Sequence, residues 1–264
     1  MELRVLCIGD VVGAPGRKAL QDGIPKLVAK HAIDCTVVNA ENATDGSGLS
    51  ASAYDKVMAC GADLVTLGDQ VYRRKDIIPV LERAANIVKP ANYPAAAPGK
   101  LFAIFQTKSG CRVAVVSLLG RLYMKSPANC PFAAADKVLA AIPSDVKIVV
   151  VDVHAEATSE KVALGWYLDG RASLVFGTHT HIPTADERVL PKGTAYITDV
   201  GMTGPYDSVL GRDRERVVGT MVSGVPSMFD VATGDVRLCG AVATIDSATG
   251  RALKIERVRC DCPA

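Results

Sequence analysis

Three of the four histidines in this 264-residue sequence fall in two short stretches, Asp152-Val153-His154 and Gly177-Thr178-His179-Thr180-His181. Three further stretches supply oxygen donors: Gly9-Asp10, Ala40-Glu41-Asn42 and Gly68-Asp69-Gln70. Imidazole nitrogen mixed with carboxylate and amide oxygen is a donor set for Mn, Fe, Zn or Ni. One histidine after a strand is more often structural than a ligand, so the weight rests on the set. The H-x-H pair is its strongest part, because two neutral imidazoles so close in sequence can serve adjacent metals. His31 ends a helical pattern and reads as a solvated or capping residue.

Each of the five stretches closes an apolar run that reads as a strand. Residues 3–9, 35–39, 63–67, 147–153 and 173–176 are these runs, and 17–31, 51–60, 75–84 and 159–168 carry helical spacing between them. Strands alternating with helices predict a parallel or mixed sheet covered by helices. In such sheets, loops beyond the carboxyl ends of strands converge on one crevice. Residues 101–107 and 112–118 flank a Lys-Ser-Gly turn and predict an antiparallel pair; 195–198 is another strand. The last third, 227–231, 236–245 and 252–258, predicts meandering strands. With no repeat, linker or charge block to divide it, the chain reads as a single α/β domain over 1–264 with two stacked sheets.

Composition bounds the function. Hydrophobic residues make up 49% and charged residues 22%, with a net charge of +2, so neither a nucleic-acid coat nor a membrane-surface protein is expected. No run approaches the ~18 apolar residues of a membrane span, and the opening MELRVLCIGD does not read as a signal peptide; the expected location is the cytoplasm. The eight cysteines lack paired metal-finger spacing, and Cys260-x-Cys262 is expected to be a reduced, frayed terminus. Gly13-Ala-Pro-Gly16 lacks the Lys-Ser/Thr of a P-loop, which removes ATP binding by that route.

The segments GDVVG, NAEN, VDVHAEATSEKVALGWYLDGR, GTHTH, TADERVLPKGTAYITDVGMTGPYDSVLG and the closing TG-x-A-x-x-I-E-R resemble the YmdB-like branch of calcineurin-like metallophosphoesterases over nearly the full length. The resemblance implies a four-layer α/β/β/α sandwich, two divalent metal ions (Mn or Fe first; Zn, Ni or Mg as alternatives), and phosphodiesterase activity toward cyclic nucleotides or a related small phosphoester. It also implies a homo-oligomer, and leaves RNA open as a partner. Carried over, Asp10 and His181 hold one metal with Asn42 close by, Glu41 bridges, and His154, His179 and Asp69 hold the second. Two metals about 3.5–4 Å apart can activate a bridging hydroxide and clamp a phosphate.

The sequence departs from the family at one place. The family's G-N-H reads Gly68-Asp69-Gln70 here. Asp69 keeps an oxygen donor and adds charge. Gln70 stands where the resemblance implies a histidine that gives a proton to the leaving alkoxide or stabilises the phosphorane charge; glutamine can donate a hydrogen bond but cannot transfer a proton, and general acid catalysis contributes about 10²–10⁴ in rate. Asp69, Gln70 and Asn42 are therefore the catalytic candidates. The competing reading is a metal- and nucleotide-binding regulatory protein with weak or no turnover.

Arg17 and Arg121 are candidates to touch a phosphate and Thr203 and Tyr206 to contact substrate, with Asn92 and Tyr93 as rim positions. Asp152 is placed to orient an imidazole from behind, while Glu156 and Glu160 read as partners of a helix N-terminus.

Overall fold

A computed structural model describes residues 1–262. The first half alternates as read: β1 (Glu2–Ile8), α1 (Gly13–His31), β2 (Cys35–Asn39), α2 (Ala51–Ala59), β3 (Leu64–Thr66) and α3 (Ile78–Arg83). The helix expected from residue 17 begins at Gly13, because Pro15 sits in its first turn, where a missing N–H costs nothing. The second half holds β4 (Ala103–Gln106), β5 (Arg112–Leu119), α4 (Pro131–Ala141), β6 (Ile148–His154), α5 (Thr158–Leu168), β7 (Leu174–Thr178), β8 (Arg188–Val189) and β9 (Ala195–Ile197). After these come β10 (Gly204–Pro205), α6 (Arg214–Ser223), β11 (Val236–Asp246) and β12 (Ala252–Asp261).

The strands form two six-stranded sheets. In the first, β1, β2 and β3 run parallel, and β11 pairs antiparallel with β1, β10 and β12. In the second, β5, β6, β7 and β9 run parallel between antiparallel edges β4 and β8. Side-chain alternation divides each strand between two cores. Leu3, Val5 and Cys7 of β1 join Val113, Val115, Ile148 and Val150 between the sheets. Leu6 and Ile8 of the same strand pack outward on Leu20, Ile24 and Val57 of α1 and α2. On the far side, Val149, Val151 and Val153 of β6 pack on Val138 of α4 and on Leu164 and Leu168 of α5. The result is the α/β/β/α sandwich.

Three expectations are corrected. Residues 227–231 form no strand: only Val231 makes an isolated bridge, to Arg212. Before it stands α6, which sequence periodicity did not reveal because only its Val217 is buried while Val218, Met221 and Val222 face out. The Cys260-x-Cys262 tail is not frayed, since Cys260 lies in β12 and Cys262 is buried with Sγ 3.8 Å from the Ala19 carbonyl.

Candidate metal centre

The carboxyl ends of β1, β2 and β3 in one sheet meet those of β6 and β7 in the other. Asp10, Glu41, Asn42 and His154 are buried there. The sheets approach so closely that a Cβ on Gly68, just past β3, would lie 2.2 Å from the His154 ring. Glycine is required by space alone at that position. His179 and His181 follow β7 with φ of 87° and 65°, a left-handed backbone that turns both rings inward.

Each of the three imidazoles has one nitrogen on an outer acceptor. His154 Nδ1 lies 2.9 Å from Thr178 Oγ1, whose own proton goes to Asp152 Oδ1 at 2.6 Å, so the hydroxyl accepts from the ring. His179 Nε2 lies 3.1 Å from Glu156 Oε2, and His181 Nδ1 lies 3.1 Å from the Leu210 carbonyl. This assigns the outer N–H groups and turns the other nitrogens inward as donors to a cation. His154 Nε2 and His179 Nδ1 face each other at 3.0 Å, with Asp69 Oδ1 3.1 Å and 3.5 Å away. Glu41 Oε2 stands 2.8 Å from His154 Nε2, out of line for a hydrogen bond. One ligand atom from each of Glu41, Asp69, His154 and His179 lies within 4.8 Å of the others, a set that can hold a metal ion.

A second set adjoins it. Asp10 Oδ2 accepts from the His179 amide at 3.0 Å, leaving Oδ1 buried without a hydrogen-bond partner and 3.8 Å from His181 Nε2. Asn42 Nδ2 lies 3.3 Å from the same nitrogen. Buried unpaired carboxylate oxygens are costly. Asp10 Oδ1 is such an atom, and Glu41 Oε2 on the same crevice makes no hydrogen bond, its neighbour being the His154 ring; a cation between them would satisfy both.

The charges agree. Burial disfavours charge on His154, but the carboxylates of Glu41, Asp69 and Asp10 outweigh it and lift its proton affinity well above that of an ordinary imidazole. His179, buried beside that charged ring, is pushed down to about 4. Asp10 and Asp69 are held below the usual carboxylate range by the histidines, against the effect of burial.

Gln70 is wholly engaged. Its backbone N–H donates to Glu41 Oε1 at 2.6 Å, its side-chain amide donates to Asn42 Oδ1 at 2.9 Å, and its Oε1 accepts from Ser47 at 2.5 Å. It orders Glu41 and Asn42 rather than standing free. Asp152 does not touch His154 in a hydrogen bond; it acts through Thr178, and also accepts from Asn39 at 2.8 Å.

The side chains of the three substrate-contact candidates make their bonds away from the ligand atoms, although the Thr203 backbone N–H donates to the Asp10 carbonyl at 2.8 Å. Arg17 donates to the Ala43 carbonyl and lines a surface hollow beside Cys60. Thr203 is fully buried, its hydroxyl 3.4 Å from the Cys239 carbonyl, so it ties β10's approach to β11. Tyr206 is spent on the Met202 carbonyl (3.0 Å) and Cys239 Sγ (3.1 Å). Asn92 is buried as a tie between Leu119 and Asn129, whereas Tyr93 reaches the Asp69 carbonyl at 3.1 Å. Glu156 lies ahead of α5 and serves His179, and Glu160 accepts from the amides of Arg121 and Leu122. His31 does end α1, paired with Glu256 at 3.4 Å.

Sequence reasoning missed Thr178, Leu210 and the buried Lys161. Lys161 Nζ donates to Thr180 Oγ1 and Asp199 Oδ2, both at 2.8 Å, and so anchors the residue between the two inward-turned histidines. A lysine in the middle of an amphipathic helix carries no signal that it is buried.

Two stacked sheets with donors gathered at their carboxyl ends define the metallophosphoesterase class. The chain belongs to the family described as YmdB-like protein, whose model matches residues 6–258. It is 47% identical over 256 residues to a 2′,3′-cyclic-nucleotide 2′-phosphodiesterase of Bacillus subtilis (strain 168), covering 97% of this chain and 96% of that protein. Among solved structures, a hypothetical protein from Thermus thermophilus matches with a TM-score of 0.92 at 40% identity, covering 99% of this chain and 100% of that one. A novel phosphatase from Mycoplasma pneumoniae matches with a TM-score of 0.92 at 32% identity, covering 99% and 94%.

Proposed function

We propose that the protein is a metal-dependent phosphodiesterase that opens 2′,3′-cyclic phosphates of nucleosides, using two divalent ions. The observation that carries the reading is the inward convergence of Glu41, Asp69, His154 and His179, continued by the orphaned Asp10 Oδ1 beside His181. In this assignment Asp69, His154 and His179 would hold one ion, Asp10 and His181 the other, and Glu41 would be a ligand within the same crevice. Asn42, whose Nδ2 lies 3.3 Å from His181 Nε2, would stand beside the second ion. Bound ions supply Lewis acidity and a nucleophile from water. The protein's own part is to fix the ligands: Thr178, Glu156 and Leu210 hold the three imidazoles, and Gln70 and Asn39 hold the Glu41 side chain and backbone.

In the reaction, water oxygen bonds to phosphorus, the P–O2′ bond breaks, and O2′ takes a proton, leaving a 3′-phosphate. Gln70 cannot donate that proton. A strained five-membered cyclic phosphate depends less on leaving-group protonation than an unstrained alkyl ester does, which fits the relative's substrate to this chain's glutamine. The same glutamine favours the second reading, a metal-dependent nucleotide binder. Protein reconstituted with manganese is expected to convert 2′,3′-cyclic AMP to 3′-AMP. Binding of the nucleotide without product would move the assignment to the binder.

Eight free thiols, in described residues throughout, suit a reducing compartment and support a cytoplasmic location.

A further inference from the structure

Beside the metal centre lies a groove of about 730 Å³ whose walls include Ser47, Arg73, Arg74, Arg212 and Phe229. It adjoins the centre through one chain of contacts: Ser47 Oγ donates to Gln70 Oε1 at 2.5 Å, and the Gln70 amide donates to Asn42 at 2.9 Å. We propose that this groove binds the nucleotide preceding a terminal 2′,3′-cyclic phosphate, so that the substrate class is an oligoribonucleotide end rather than a free cyclic mononucleotide. The inference rests on the phosphodiesterase reading above and extends it.

The charge balance of the groove favours an anion. Its two acids are already neutralised, Asp45 by Arg74 at 3.1 Å and Asp230 by Arg216 at 2.8 Å. Among the described residues, Arg73 and Arg212 have no carboxylate within 4.0 Å. Arg212 is held rigid by the carbonyls of Asp45 (3.0 Å), Phe229 (3.1 Å) and Gly46, which fix its plane, and the carboxylates of Asp230 and Asp45 act on it only at longer range. Arg73 is exposed and its side chain forms no hydrogen bond among the described residues, so its guanidinium is free to take a phosphate in bidentate fashion. The floor is the start of α1, Ala14 and Pro15, whose first turn has no acid, so the helix adds positive potential.

Phe229 supplies the other half of nucleotide recognition. The residue is 38% exposed on the groove, and it is the aromatic residue there. Its backbone is pinned by Arg212, so the stacking face and the cation are set in one geometry. Aromatic stacking with a neighbouring cation is how single strands are held without sequence preference.

The test compares kcat/KM for 2′,3′-cyclic AMP with that for an adenylyl trinucleotide ending in a 2′,3′-cyclic phosphate, using the manganese-loaded full chain. The expected result is a preference for the trinucleotide that falls roughly tenfold in Phe229→Ala, the loss of one stacking contact. Arg73→Ala should lower the same ratio and make the salt dependence of trinucleotide kcat/KM shallower by about 0.7 in log–log slope, one phosphate contact on a single strand. Equal kcat/KM for the two substrates, or equal losses on both in the variants, would overturn the proposal. Anisotropy of fluorescein-labelled pentaadenylate 3′-phosphate gives an answer independent of turnover. Weaker binding in both variants upholds the groove even if no cyclic phosphate is opened, and unchanged binding rejects it.

Discussion

Thr178→Val removes the hydroxyl that accepts from His154 Nδ1 while keeping the side chain's shape. Such outer partners typically contribute about 10–100-fold in metal affinity. Manganese affinity is therefore expected to fall by about that factor, read by calorimetric titration, with the fold unchanged by circular dichroism. A second prediction concerns protons. The carboxylates around His154 raise its proton affinity, so an arriving cation has to displace that proton. Metal binding should release protons and weaken as pH falls, which titration in buffers of different ionisation enthalpy will reveal; no release would contradict the assignment of His154 Nε2. Gln70 gives a third. Asp69→Asn together with Gln70→His restores the family dipeptide, and alkyl-ester turnover should rise more than aryl-ester turnover. Equal gains on both would remove the general-acid explanation. At this scale the donors were legible in the sequence because carboxylates and histidines directly after apolar runs are an unusual pairing. Their outer partners were not legible. The Leu210 carbonyl is 29 residues from His181 and shows no side-chain signature, and Glu156 looked like a helix-terminus acid.

Among the elements, α5 is more than a cover for the second sheet. Its Lys161 is buried against Asp199, which follows β9, and burial pushes the Asp199 carboxyl up while the lysine pulls it down. Removing one member of a buried pair leaves the other uncompensated and costs about 3–5 kcal/mol. Lys161→Met should lower stability by that order in urea unfolding and loosen the Thr180 turn between His179 and His181. The strand–helix alternation of the first half could be read because its strands are largely buried on both faces and each helix has one apolar side. Reading failed at α6 and at residues 227–231, where exposure of Val218, Met221 and Met228 breaks the link between apolar residues and burial. The side-chain directions of the substrate-contact candidates were not legible for a related reason. Leu210, beyond the Gly- and Pro-rich segment that follows β9, reaches His181 with its carbonyl, whereas the Thr203 and Tyr206 side chains turn to Cys239 of β11, and sequence spacing does not tell the two sides of an irregular loop apart.

The molecule as a whole places one acidic, histidine-rich centre between two sheets and a basic groove at its edge. Among the described residues no helix is long and apolar enough to cross a membrane. Val218, Met221, Val222, Val225 and Met228 are each exposed on and after α6, and a homo-oligomer, which the family resemblance implies as an expectation, would have these apolar side chains to bury. Met221→Lys with Val222→Lys is expected to lower the mass seen by light scattering; an unchanged mass would place any contact elsewhere. The near-neutral total charge argues against a nucleic-acid coat, and the few arginines gathered on one groove do not move that sum.

The most direct test of the metal centre measures metal content and bis-p-nitrophenyl phosphate hydrolysis on the same sample, before and after chelation and manganese reconstitution, for the natural protein and for Asp10→Ala and His179→Ala. The expected result is two ions per chain with turnover in the natural protein, loss of turnover on chelation, and fewer ions with little turnover in both variants. Turnover that survives chelation, or full metal content in either variant, would contradict the assignment of these residues as ligands of a catalytic metal pair.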